Sequence, residues 1–124
     1  LLDLMDRNTM GWADTLAPIV AGEGGGPGVA GRLSDSFCSS DPVAARRFAE
    51  ATFFADNRED VARVRTRSLV LQHRHDALAP LAVGRWLQAR LPDCRMEVLD
   101  VAGHCAHMSH PHLVIDALRR RLGA

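Results

Sequence analysis

This sequence of 124 residues is poor in several ingredients, and each shortage narrows what it can be. Lysine is absent. Basic and acidic residues balance at fifteen each, for a formal net charge of zero. A neutral chain has no long-range pull on nucleic acid or an anionic membrane, so neither is an expected partner. Arginine in place of lysine, with abundant alanine, reads as a GC-rich coding sequence rather than as chemistry. Cys38, Cys94 and Cys105 are odd in number and irregularly spaced. They argue against a disulfide framework and point to a reducing, cytoplasmic compartment. No apolar run approaches the roughly 20 residues of a membrane span. The segment Leu1 to Arg7 lacks the basic stretch and apolar core of a signal peptide. It reads as an amphipathic helix already in register, which points to sequence preceding Leu1.

What is present is globular material, 47% apolar and 24% charged, long enough for one domain with a core. Residues 1–65 are predicted to be helical. Leu1, Met5, Trp12 and Leu16 recur at helical spacing, and Ile19 and Val20 extend the stripe. The run from Gly22 to Gly28 predicts a loop. A short helix from about Val29 to Phe37 follows. Asp41-Pro42 is a cap followed by proline at the first helical position, so a helix should run from there to about Phe54. Asp56 to Asp60 opens one more short turn. Residues 66–124 change texture, with strands expected near 68–73 and 95–101, each followed by a helix. The first of these helices, Leu81 to Leu91, should turn Val83, Trp86, Leu87 and Leu91 inward. The second, Pro111 to Leu122, should use Leu113, Ile115, Leu118 and Leu122. Alternation of strand and helix implies an α/β fold with a parallel sheet.

The chemistry gathers at the ends of those strands. Asp76 follows the first and His104 follows the second, 28 positions later (104 − 76), which fits one intervening helix and strand. Acid then histidine is the order of the last two members of a Ser…Asp…His triad. A carboxylate there can orient an imidazole, and an imidazole can take a proton near neutral pH. Gly103 gives the backbone a tight exit from the strand. The seat of the serine, G-x-S-x-G, occurs nowhere. His73 and His75 read as loop residues near the mouth of the site. His104, His107, His110 and His112 crowd with Cys105, but their spacing matches no zinc signature, so no metal is expected. Gly26-Pro27-Gly28-Val29-Ala30-Gly31 matches G-x-G-x-x-G only formally, because no strand precedes it; a hinge between helices is the better reading. No cofactor is expected. The few aromatics, among them Trp12 and the Phe53-Phe54 pair, suit either a core or an apolar pocket.

Together these segments resemble the α/β-hydrolases of the RsbQ type, bacterial energy-stress regulators of the sigma-B pathway related to plant strigolactone and karrikin receptors. The resemblance runs the full 124 residues. It is carried by Asn8 to Trp12, Phe37 to Pro42, Ala51 to Asp60 and Ser68 to Gln72, and most densely by Gly103 to Pro111. Arg67 departs from it, since relatives usually carry proline before that strand. The resemblance implies the C-terminal part of such a hydrolase: a helical lid over residues 1–65, then a βαβα part of the core over 66–124. It implies Asp76 as acid and His104 as base, and substrate contacts from Trp12, Leu16, Phe53, Ala77 and Leu78. The implied reaction is serine hydrolysis of a small apolar ester, lactone or similar compound. The chain alone, without its serine, is expected to be inactive. The alternative is a stress-signalling sensor that binds a small hydrophobic ligand and a PAS-domain phosphatase.

Overall fold

A computed structural model describes residues 2–22, 24 and 26–123. Leu1 of the predicted stripe, Glu23 and Gly25 of the glycine run, and Ala124 lie outside the described residues. The stripe expected to form one helix is split into α1 (Leu2–Arg7) and α2 (Thr9–Ala21). Asn8 makes the break: its φ of −156° is not helical, and its side chain accepts from the Gly11 amide at 2.9 Å. Such a cap supplies one of the partners that the first amides of a helix lack.

Helix α3 (Gly26–Ser39) is longer than expected, and Gly26, Pro27 and Gly28 belong to it rather than to a loop or hinge. Proline is tolerated in a first helical turn, where its missing N–H has no partner to lose. Asp41 caps α4 (Pro42–Phe54) as expected, accepting from the Ala44 amide at 2.8 Å. The turn α5 (Arg58–Val61) follows. Helix α2 is central to this region. Its Trp12, Leu16 and Val20 are buried together with Ala13, Ala17 and Ala21, and Val29 and Leu33 of α3 complete the cluster with Met5 and Ala49.

Strands β1 (Ser68–His75) and β2 (Cys94–Ala102) are parallel, with Ser68 opposite Cys94 and His73 opposite Leu99. Between them crosses α6 (Leu81–Arg90), and after them come α7 (Ala106–Ser109) and α8 (Pro111–Leu122). This is the expected α/β alternation. The inward faces of two helices differ from expectation. On α6, Val83 is exposed and Gly84 is buried. On α8, Ile115, Leu118 and Leu122 are exposed, while Ala117 is buried and Leu113 and Val114 pack on Leu99, Val101 and Ala106. The reason is width. Two strands about 4.8 Å apart cover only one stripe of a helix about 10 Å across. His73 is the buried strand residue that the expected strand 68–73 implies, not the loop residue its polarity suggested, and His75, expected in a loop, is the last residue of β1. No helix of the described residues is long and apolar enough to cross a membrane.

Candidate active site

Asp76 is the first residue beyond β1. Its Oδ1 accepts from the amides of Leu78, at 2.8 Å, and Ala79, at 2.9 Å. This turn leaves Oδ2 free to face the second strand's exit, where it meets His104 Nδ1 at 2.8 Å. The Asp76 side chain is only 4% exposed, against 46% for His104. Burial pushes the Asp76 carboxyl upward, but the Ala79 amide, the His104 ring and the Leu78 amide outweigh it, so the group sits below the usual carboxylate range. It is therefore an anion at neutral pH. An anionic carboxylate can only accept, so the shared proton resides on His104 Nδ1 and Nε2 is the free base of the neutral ring.

Gln72 and Gly84, which the sequence reading did not single out, hold the acid turn from below. Gln72 Nε2 donates to the carbonyls of His73 and Ala79, both at 2.9 Å. Gly84 leaves room for it, since a Cβ there would overlap the Gln72 amide oxygen. A polar residue inside a strand, with a glycine on the helix that covers it, is the pattern that could have revealed this support.

The histidine turn is held by main chain. Gly103 has a φ of 88°, a conformation that L side chains avoid. Its amide donates to the His75 carbonyl at 3.0 Å. The amides of His104 and Cys105 both donate to Val20 O at the end of α2, at 2.7 and 3.3 Å. Cys105 and Met108 then pack against the helical cluster. Burial, and next the Asp76 charge, push the Cys105 thiol up, which makes it a poor nucleophile beside the imidazole.

Trp12, Leu16 and Phe53 meet in one apolar cavity of about 460 Å³ that Phe37, Phe48 and Ala49 also line. Trp12 and Phe37 approach with centroids 5.2 Å apart at 54°. The Trp12 indole N–H is buried without a hydrogen-bond partner among the described residues. The remaining expected contacts lie elsewhere: Ala77 borders a separate depression with Ile19 and His75, and Leu78 is exposed. His104 is not among the cavity's lining residues. Its amide is bonded at Val20, four residues and about 6 Å farther along α2 than Leu16. A larger polar depression, about 550 Å³ between Asp56, Glu59 and Trp86, includes neither member of the pair. The Trp86 face in it is covered by Arg90, 4.2 Å from the ring centroid. Among the described residues, no three His, Cys, Asp or Glu side chains converge to hold a metal ion.

Residues 3–117 match the model of the Alpha/beta hydrolase family. The chain belongs to that family. A solved hydrolase from Oleispira antarctica superimposes on this α/β-hydrolase chain with a TM-score of 0.94 and 38% identity, over 98% of this chain and 45% of that one. The Karrikin insensitive 2 receptor IA of Petunia hybrida is 26% identical over 123 residues, 98% of this chain and 45% of that receptor. A pimeloyl-[acyl-carrier protein] methyl ester esterase of Aromatoleum aromaticum is 46% identical over 48 residues, 36% of this chain and 19% of that enzyme. The α/β-hydrolase chain thus spans less than half the length of each of these relatives.

Proposed function

We propose that this chain supplies the acid and base of a serine hydrolase for small apolar esters, lactones or similar compounds, its nucleophile and oxyanion donors lying on sequence outside these 124 residues. The observation that carries the reading is the Asp76–His104 contact. The carboxylate is buried, fixed by two amides and bonded to Nδ1, so Nε2 of the half-exposed ring is left basic. In the reaction, Nε2 takes the serine proton as Oγ attacks the ester carbonyl, and Asp76 stabilises the imidazolium. His104 returns that proton to the departing alkoxide as the acyl-enzyme forms. Water, deprotonated in turn by Nε2, then releases the acid and restores the serine. The apolar cavity suits a hydrophobic group of the substrate.

The test is turnover of short p-nitrophenyl esters by the intact protein, by its His104→Ala variant and by the 124-residue chain alone. Only the intact protein should turn over. A variant or a short chain that matches it would end this reading.

A second reading has its own support in the likeness to a karrikin receptor over nearly the whole chain. In it the cavity serves a sensor, and an RsbQ-type regulator would pass the signal to a PAS-domain phosphatase. Signalling output would then survive His104→Ala but fall when Phe53 is replaced by Asp. An enzyme role demands that output fall with either change.

A further inference from the structure

His73 is a buried imidazole that the acid–base pair does not use, and its one hydrogen bond singles it out. The peptide unit joining Gly103 to His104 has two polar ends. Its N–H, from His104, donates to Val20 O at 2.7 Å. Its carbonyl, from Gly103, accepts from His73 Nδ1, also at 2.7 Å. A glycine offers little resistance to backbone rotation, so a peptide unit held at one end pivots and carries the next side chain with it. Held at both ends, it cannot turn.

We propose that His73 is a positioning residue that fixes the orientation of His104 through the Gly103 carbonyl. The proposal rests on the acid–base reading of Asp76 and His104 given above. Strand β1 thereby governs both partners: it leads directly into Asp76, and its His73 ring sets the turn that presents His104. A carbonyl can only accept, so His73 Nδ1 carries a proton. The role is thus that of a donor, not of a ring that fills space. An apolar ring of similar size would leave the buried Gly103 carbonyl without this partner.

Two substitutions separate donor from filler. His73→Phe keeps a ring and removes the donor; His73→Asn loses volume but places an amide N–H near the position of Nδ1. In the intact protein, kcat and KM for a p-nitrophenyl ester are read beside the low-field proton NMR signal of His104 Nδ1–H bonded to Asp76. His73→Phe should lower kcat about 10- to 100-fold, as ångström-scale misplacement does, with KM little changed. Its low-field signal should broaden or vanish. His73→Asn should stay within a few-fold of the parent in kcat and keep the signal. Higher activity in His73→Phe than in His73→Asn, or an intact signal in His73→Phe, overturns the proposal. Should His73→Phe not fold, a folded His73→Asn without the signal overturns it, and one with the signal supports it. Should the parent hydrolyse no ester, the hydrolase reading falls, while the signal in the two variants still decides whether His73 positions the ring.

Discussion

The helical region from Leu2 to Val61 and the strand-bearing region from Ser68 to Leu122 bury different kinds of groups. The first encloses Trp12, Leu16, Val20, Val29 and Leu33 in one apolar cluster centred on α2. The second encloses a smaller set around Leu99, Val101 and Ala106. It also buries polar groups, Gln72, His73 and Asp76. Buried polar groups cost stability unless each finds a partner, and here each does. Packing thus shapes the cavity in one region, and directional bonds shape the acid–base pair in the other. Changes in the first should act on stability and substrate affinity, and changes in the second on turnover.

The sharpest test of that division is Asp76→Asn in the intact protein. An amide cannot hold the same tautomer of His104, so kcat should fall about 10⁴-fold while KM moves little. A fall of less than tenfold in steady-state assays would break the comparison at its strongest point. Next in size is Leu16→Ala. Removing a buried leucine from the α2 cluster should cost about 2–5 kcal/mol in urea unfolding of this chain. Leu118→Ala, at an exposed position, should stay within about 0.5 kcal/mol. Equal costs would show that the exposed face of α8 is covered.

Acid sharpens the comparison from the other side. The Asp76 carboxyl is depressed in the folded chain, so its contribution is full above the unfolded pKa of about 3.9 and fades as pH falls through the folded value. The melting-temperature gap between parent and Asp76→Asn should therefore be constant near neutrality and shrink in acid below pH about 4. A gap that widens in acid would reverse the sign of the argument. A small effect on stability alone belongs to the cap of α4. Asp41→Ala should cost about 1 kcal/mol with no loss of kcat, measured by thermal melting beside an ester assay.

Much of this was legible in the sequence because it rests on local signals. The run Leu69 to Leu71 reads as a strand and lies in β1, half-buried, and Asp41-Pro42 marks the start of α4. The 28 residues from Asp76 to His104 fit one helix and one strand, and the two side chains do meet. Signals that depend on distant partners were not legible. The apolar stripe runs across Asn8 without interruption, and only the bond to Gly11 shows that the helix ends there. Leu118 and Leu122 look like core residues on α8, but two strands are too narrow to cover them. The end of the strand at His73 was legible, but its burial was not: polar imidazole suggests exposure, and only a carbonyl 30 positions away, accepting its Nδ1–H, accounts for it.

Where Gly22 meets Gly103, main chain lies directly on main chain. A Cβ on Gly22 would overlap the Gly103 nitrogen, and one on Gly103 would overlap the Ala21 carbonyl oxygen. Both residues also hold a positive φ, 70° and 88°. Such a seam is a dead end for genetic drift. Swapping one glycine leaves the other just as crowded, so no compensating change at the opposite codon can restore the fit. In a saturation library selected for folding, these two codons should stay fixed together while the exposed Phe54 and Arg58 sample many residues.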